Sequence, residues 1–411
     1  MSAGSGKPRR RFLAMSAGAL VLSGGRSVLS FAASAGAEGE GRVLGSPRRR
    51  YGERAPTETA ERACIEGATG GTGSSRTPLQ STFGIITPSS LHFERHHSGV
   101  PALDPQSHEL LIHGLVGRPL SFKVEDLLRF PSVSAIHFIE CAGNSWREHE
   151  GRPGETPQDS HGLISCSEWT GVRLSTLLGE VGLDPSASWV VAEGGDASRL
   201  ARSIPLQKAL DDVLVAYGQN GEALRPEQGY PIRLLVPGWE GNVNVKWLRR
   251  LQVVNRPAMT KDEAATYTDF MPGGHARQFS FEMDVKSVIT RPCGGEQLTG
   301  AGFYEIIGLA WSGRGKVTGV EVSVDGGREW RRAALGEPVL SKAFTMFRLP
   351  WKWDGRPTSI RSRAMDDFGD RQPTREELIA VRGLIAGPDG FSHYNGIKIW
   401  HVQADGSVTH V

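Results

Sequence analysis

The sequence predicts an α+β protein: a mixed α/β domain over residues 76–255, a connector over 256–282, and an antiparallel β-sandwich of immunoglobulin type over 283–402. Three observations lead there. A chain of 411 residues exceeds what one hydrophobic core usually serves, so two cores are expected. With 52 Gly and 24 Pro, turns are frequent and long helices are few. The apolar pattern also changes along the chain, mixed in the first half and alternating every second residue in the second half.

The elements follow in order. Arg9-Arg10-Arg11-Phe12-Leu13 opens a mildly apolar run that ends at Leu22, too short to span a bilayer. Small residues at Ala33-Ser34-Ala35 and Ala35-Gly36-Ala37 each offer a cleavage site. The paired arginines resemble a twin-arginine export signal over residues 1–35, which implies a periplasmic protein exported already folded. An ordinary secretory signal with an Arg-rich start is the other reading. Residues 36–75, rich in Gly, Arg, Glu and Ser, lack periodicity and read as a flexible linker, with order expected from Thr77-Pro78. Leu174, Leu177, Leu178 and Val181 mark one face of a helix, and Leu206 to Leu210 a second, short one. Trp189 to Glu193 and Ile232 to Val236 read as buried strands, and Gln219-Asn220-Gly221 as a tight turn. Beyond 283, Val320, Val322 and Val324 alternate with polar residues before an Asp325-Gly326-Gly327 turn. Ile360, Ser362 and Ala364 do the same before a turn at Asp366 to Asp370.

A formal net charge of +2 is near balance and gives no reason to invoke nucleic acid or an anionic membrane as a partner. The cysteines at 64, 141, 166 and 293 are too widely spaced for a zinc ribbon or a C-x-x-C-H haem site, so no haem is expected on this chain. In an oxidising compartment one or two disulfides are the ordinary expectation, with Cys64 and Cys293 the candidates. Ile136 to Asn144 reads as a strand that ends at Cys141 and turns through Gly143-Asn144. There a thiolate can sit beside backbone N–H groups and bind a soft or high-valent metal. On spacing alone this is weak evidence, because most lone cysteines are small buried hydrophobes.

Glu140-Cys141-Ala142-Gly143-Asn144 resembles the metal-ligand motif of the sulfite oxidase family of molybdenum enzymes. Gly162-Leu-Ile-Ser165 to Trp169-Thr-Gly171 and Val236-Pro-Gly-Trp-Glu-Gly241 to Val245-Lys-Trp-Leu248 resemble two further stretches of that family, in the same order. Ala310-Trp-Ser-Gly313, Val320 to Gly327 and Trp330 resemble its dimerisation domain. The resemblance implies a molybdopterin-binding catalytic domain, one molybdenum-molybdopterin per chain with Cys141 as the protein's metal ligand, and a homodimer formed through the second domain. It implies Arg95 at the mouth of the metal pocket as an anion-attracting group and His97 on the pterin side. It also implies Tyr267 beside the metal, tuning proton loss, and Ser165, Arg233 and Lys246 as pterin contacts.

Two departures bear on the substrate. Animal members carry paired arginines directly after the Cys-Ala-Gly-Asn, where this chain has Ser145-Trp146, and Arg147 lies one register away. Gln228 replaces a family histidine. Glu227-Gln-Gly-Tyr-Pro231, Pro237 to Asn242 and Tyr267-Thr-Asp269 look most like the sulfane dehydrogenase (SoxC) branch. That branch oxidises the outer sulfur of a persulfide held on a carrier protein's cysteine and passes electrons to a c-type cytochrome subunit. A sulfite dehydrogenase using free sulfite, a methionine-sulfoxide reductase of the same cofactor class, and a secreted dimeric binding module are the other readings. The second domain argues against the reductase.

Overall fold

The computed structural model describes residues 47–67, 69–383 and 393–411, so the expected export signal lies outside the described residues. Two compact units divide between Thr57 and Glu58. The described part of the first, residues 47–57, has neither helix nor strand and holds an Arg49–Glu53 ion pair. The second unit carries every helix and strand described below.

Its first half is built on two five-stranded sheets. One orders Glu222–Ala223, Leu214–Gln219, Ile164–Arg173 and Ser132–Glu140, with Arg233–Leu235 also paired to Leu214–Gln219. The other orders Leu120–Lys123, Glu109–Gly114, Leu248–Val254, Trp189–Gly194 and Ala201–Pro205, with only the Glu109–Gly114 and Leu248–Val254 pair parallel. The helix Leu174–Val181 forms as its periodicity predicts, and its four apolar positions are all buried. They pack in one cluster with Ile112, Val190, Val215 and Leu234, contributed by both sheets. Asn220 and Gly221 close the expected tight turn with φ of 51° and 78°, a left-handed pair that suits Asn-Gly.

The second half is an all-antiparallel sandwich. One sheet orders Lys286–Arg291, Gly302–Trp311, Thr345–Trp353 and Ala334–Leu335. The other orders Arg331–Arg332, Val317–Ser323, Thr358–Asp366, Ile399–Val402 and Val408–His410. The final strand carries the sandwich past the expected limit at residue 402. Alternation places Val320, Val322, Ile360 and Ala364 inward against Ile306, Phe347 and Trp400. Among the described residues, no helix is long and apolar enough to cross a membrane.

Two expectations are corrected. The linker reading fails over its last part, because Ala63–Glu66 and Gly73–Arg76 pair with each other and then with Glu94–His96. The first of these strands is mostly exposed and shows no apolar alternation, so main-chain pairing and the Arg62–Glu94 ion pair hold it, which local pattern does not report. All four cysteines are free. Cys64 is exposed on this edge sheet while Cys293 is buried in the sandwich core, so the expected disulfide is absent.

The two halves are joined through buried polar groups. Glu140, fully buried, accepts from Lys286 Nζ at 3.0 Å and from Trp311 Nε1 at 2.7 Å, both on the sandwich. Lys398 Nζ likewise reaches Glu148 at 2.8 Å. At the seam Gly238 has φ of 78° and faces Gly313 so closely that a Cβ on either would strike the other's carbonyl oxygen. Removing one partner of a buried pair leaves an uncompensated charge. Lys286→Met is therefore expected to lower the unfolding free energy by about 3–5 kcal/mol. The Glu140→Gln/Lys286→Met double variant should recover more than half of the loss in chemical denaturation. A double variant as unstable as the single one would show that packing, not the ion pair, sets the cost.

Candidate active site

The Ser132–Glu140 strand delivers Cys141 to the wall of a cleft with about 680 Å³ of space between its sides. The thiol sits in a rigid turn. The Cys141 amide donates to the Leu163 carbonyl at 3.0 Å, and the Asn144 amide donates back to the Cys141 carbonyl at 2.9 Å. Asn144 Nδ2 clasps Glu140 Oε1 at 2.9 Å and the His161 carbonyl at 3.0 Å. A Cβ at Gly241 would lie 3.0 Å from the Glu140 carbonyl oxygen and 3.3 Å from Cys141 Cα, so glycine there lets its segment pack against the backbone that carries the thiol. Burial pushes the Cys141 thiol up, opposed by the Arg95 guanidinium and by the Gly143 N–H aimed at the sulfur.

Arg95, His97, Arg233, Lys246 and Tyr267 all line the same cleft. Arg95 is exposed, carried on the third strand of the small sheet that the sequence did not reveal. Arg233 is buried and donates to the carbonyls of Gln228 at 3.0 Å and Asn244 at 2.9 Å, with its guanidinium 5.1 Å from the Trp169 ring centre. Lys246 Nζ donates to the carbonyls of Glu227 at 3.0 Å and Arg95 at 3.3 Å and lies 3.0 Å from His96 Nδ1. Burial and the neighbouring Arg233 charge hold Lys246 down at about 7. Burial lowers Arg233 to about 9, which leaves it charged at neutral pH. Among the described ion pairs neither cation has a carboxylate partner. Two cations turned into one cleft and met only by neutral acceptors form a receptor for an anion.

His97 lines the cleft with Nε2 3.1 Å from the Tyr267 hydroxyl and the rings edge to face. Burial and the Arg95 charge lower His97, so the imidazole is neutral and able to accept a hydrogen bond. Burial also raises the Tyr267 phenol, which stays protonated and can donate. Ser165 is corrected: it is fully buried and does not line the cleft. Its hydroxyl lies 2.6 Å from Thr77 Oγ1 and accepts from the Phe93 amide at 3.0 Å, so it fixes the segment that carries Arg95 and His97 instead of meeting a ligand. Gln228 does line the cleft and donates to the Phe93 carbonyl at 2.9 Å. Arg147 is exposed outside it, stacked with Arg152 on the Trp146 ring. Asp196, Asn242 and Asn244 also line the cleft without having been singled out, although both asparagines sit inside the Val236–Leu248 stretch. The Asn242 side chain faces inward, where its Oδ1 accepts from Arg202 and its amide helps hold the Glu240 carboxylate low.

Among the described residues no three His, Cys, Asp or Glu side chains cluster to hold a metal ion. A metal bound at Cys141 must therefore bring most of its own ligands on an organic carrier. The single thiol and the anion receptor of Arg233 and Lys246 fit a metal borne on a phosphorylated pterin.

Residues 97–261 match the model of the oxidoreductase molybdopterin binding domain, and residues 277–389 that of the Mo-co oxidoreductase dimerisation domain. The crystal structure of the sulfane dehydrogenase SoxCD from Paracoccus pantotrophus superposes with a TM-score of 0.83 at 44% identity, covering 88% of this chain and 95% of that one. Mitochondrial sulfite oxidase of Mus musculus is 33% identical over 341 residues, 75% of this chain and 61% of that protein. The NADH nitrate reductase of Ulva prolifera is 33% identical over 337 residues, 71% of this chain and 38% of that protein. The chain belongs to the sulfite oxidase family of molybdopterin oxidoreductases. It spans about 61% of the length of the mammalian sulfite oxidases it matches.

Lys246 gives the anion receptor a pH dependence. Its depressed value means the ammonium is charged below about 7 and neutral above it, so anion affinity falls as pH rises through that value. Cofactor-free protein is expected to bind sulfate, whose charge is constant over this range, several-fold more weakly at about pH 8.5 than at about pH 6 by titration calorimetry. Lys246→Met should bind weakly at both. A pH-independent affinity in the parent would refute the assignment.

Proposed function

We propose that this chain is the molybdenum-bearing subunit of a periplasmic sulfane dehydrogenase, which oxidises the outer sulfur of a persulfide held on a carrier protein and passes electrons to a c-type cytochrome. The observation that carries this reading is the make-up of the cleft: one protein thiol, one exposed guanidinium from Arg95, and two cations without carboxylate partners. The likeness to the Paracoccus pantotrophus sulfane dehydrogenase supports it. When bound, the metal supplies a two-electron acceptor for sulfur while water supplies the oxygen. Cys141 would hold it, and Arg233 and Lys246 would hold the pterin phosphate.

Arg95 draws the terminal anionic sulfur toward Cys141, since an exposed guanidinium presents several donors without a carboxylate competing for them. Each oxygen added to sulfur releases two protons, and the 3.1 Å hydrogen bond between Tyr267 and His97 holds the phenol where it can relay a proton toward solvent. Where the animal enzymes carry paired arginines, Trp146 leaves the approach without a second fixed cation, which suits a bulky carrier arm better than a small free dianion. The sandwich supports a homodimer through its match to a dimerisation domain. The Arg9-Arg10-Arg11 segment supports export already folded, a route that suits a cofactor inserted before crossing.

A sulfite dehydrogenase is the second reading, favoured by the likeness to mammalian sulfite oxidase. Purified, matured protein is expected to carry about one molybdenum per chain. It should turn over a carrier-cysteine persulfide with kcat/KM at least about tenfold above that for free sulfite. The reverse preference assigns a sulfite dehydrogenase, and protein without molybdenum would favour a binding module. Cys141→Ser protein loaded with pterin should lose roughly 100-fold or more in kcat; the parental rate in that variant would remove Cys141 from the metal.

A further inference from the structure

Glu240 is a fully buried carboxylate that the scheme above does not use. Its Oε1 accepts from Arg202 at 3.1 Å and its Oε2 lies 3.2 Å from His393 Nε2. A charge this deep is tolerated only when paired and hydrogen-bonded, so these two contacts fix where the carboxylate lies. Each contact leads to a different wall of the cleft.

On one side Arg202, itself fully buried, donates to Asn242 Oδ1 and sets its guanidinium 4.9 Å from the Tyr267 ring centre. Arg202 Nε lies 3.7 Å from Glu263, on the Asp262–Thr266 turn that delivers Tyr267. On the other side His393 arrives from the second half of the chain. Its Nδ1 lies 2.9 Å from the Glu282 carbonyl, and its backbone N–H donates to the Ala142 carbonyl at 2.8 Å, one residue past the thiol. Glu240 also precedes Gly241, whose backbone closes on Cys141.

We infer that Glu240 is a positioning residue that sets the distance between Tyr267 and Cys141, because its carboxylate joins the cation beneath the phenol to the histidine that braces the thiol turn. This rests on reading Cys141 as the metal ligand and Tyr267 as its neighbour. The two anchors lie on separate segments, one after the Leu248–Val254 strand and one after Ser132–Glu140, and Glu240 couples them without touching substrate. Misplacing one reacting group by about 1 Å costs roughly 100-fold in rate.

The test uses holoenzyme with its molybdenum content measured, and whichever of free sulfite or a carrier-cysteine persulfide it turns over better. At parental molybdenum content Glu240→Ala is expected to lower kcat about 10–100-fold while KM stays within about threefold. The electron paramagnetic resonance spectrum of the half-reduced metal should change as well. Glu240→Gln should retain at least about a third of kcat, since its amide oxygen still accepts from Arg202 and its amide can donate to the His393 imidazole once the carboxylate that raises that imidazole is gone. A parental kcat and spectrum in Glu240→Ala overturns the proposal, as does a loss confined to KM or a Gln variant as impaired as Ala. Should Glu240→Ala fail to fold or load, His393→Gln decides: a lowered kcat with an altered spectrum supports the coupling, and parental behaviour overturns it. Parental protein without molybdenum would defeat the cofactor reading itself, whereas loaded parent with unaffected variants defeats only the positioning role.

Discussion

The Glu140 carboxylate, held between Lys286 and Trp311, is the interaction on which the rest of the site depends. It lies one residue before the thiol, and both of its main partners come from the sandwich. In water such a pair contributes little, but at zero exposure a lost partner is expensive, so the geometry is strongly enforced. Asn144 shares the same oxygen as Lys286 and closes the turn around Cys141. The sandwich, which matches a dimerisation domain, is thus also part of the wall behind the thiol.

Much of this architecture was legible because it follows from local rules. The Leu174–Val181 helix, the Asn220-Gly221 turn and the alternating strands around Val320 and Ile360 depend on periodicity and turn chemistry that neighbouring residues carry. Cys141, Arg95, Arg233, Lys246 and Tyr267 could be named because short motifs surround them, and the cleft brings all five together. Ser165 shows the limit of a motif. It belongs to a matching stretch, yet its hydroxyl faces Thr77 and Phe93, because a motif does not tell a ligand contact from the bond that holds a ligand-bearing segment. The strands at 63–66 and 73–76 escaped notice because their order comes from pairing with Glu94–His96, not from their own composition. Glu240, Arg202 and His393 were invisible for a similar reason: their partners lie 38 and 153 residues apart in sequence.

The electrostatics of the cleft separate holding from choosing. Arg233 and Lys246 meet only neutral acceptors, and their unspent charge suits a pterin phosphate whichever substrate is used. Arg95 is exposed, and the Trp146–Arg147–Arg152 stack lies outside the cleft. Proteins named for sulfite oxidation and for nitrate reduction align with the same module. On the proposed reading, discrimination between substrates belongs to the mouth and not to the cofactor seat.

The backbone bond from His393 to the Ala142 carbonyl has a consequence for biogenesis. A ribosome makes residue 142 long before residue 393, so the nascent amino-terminal half emerges with its metal-side turn unsupported. The pocket reaches its final shape only once the closing strands have been synthesised and have docked. On the proposed reading, a metal inserted at Cys141 meets its finished pocket only after the chain has been synthesised.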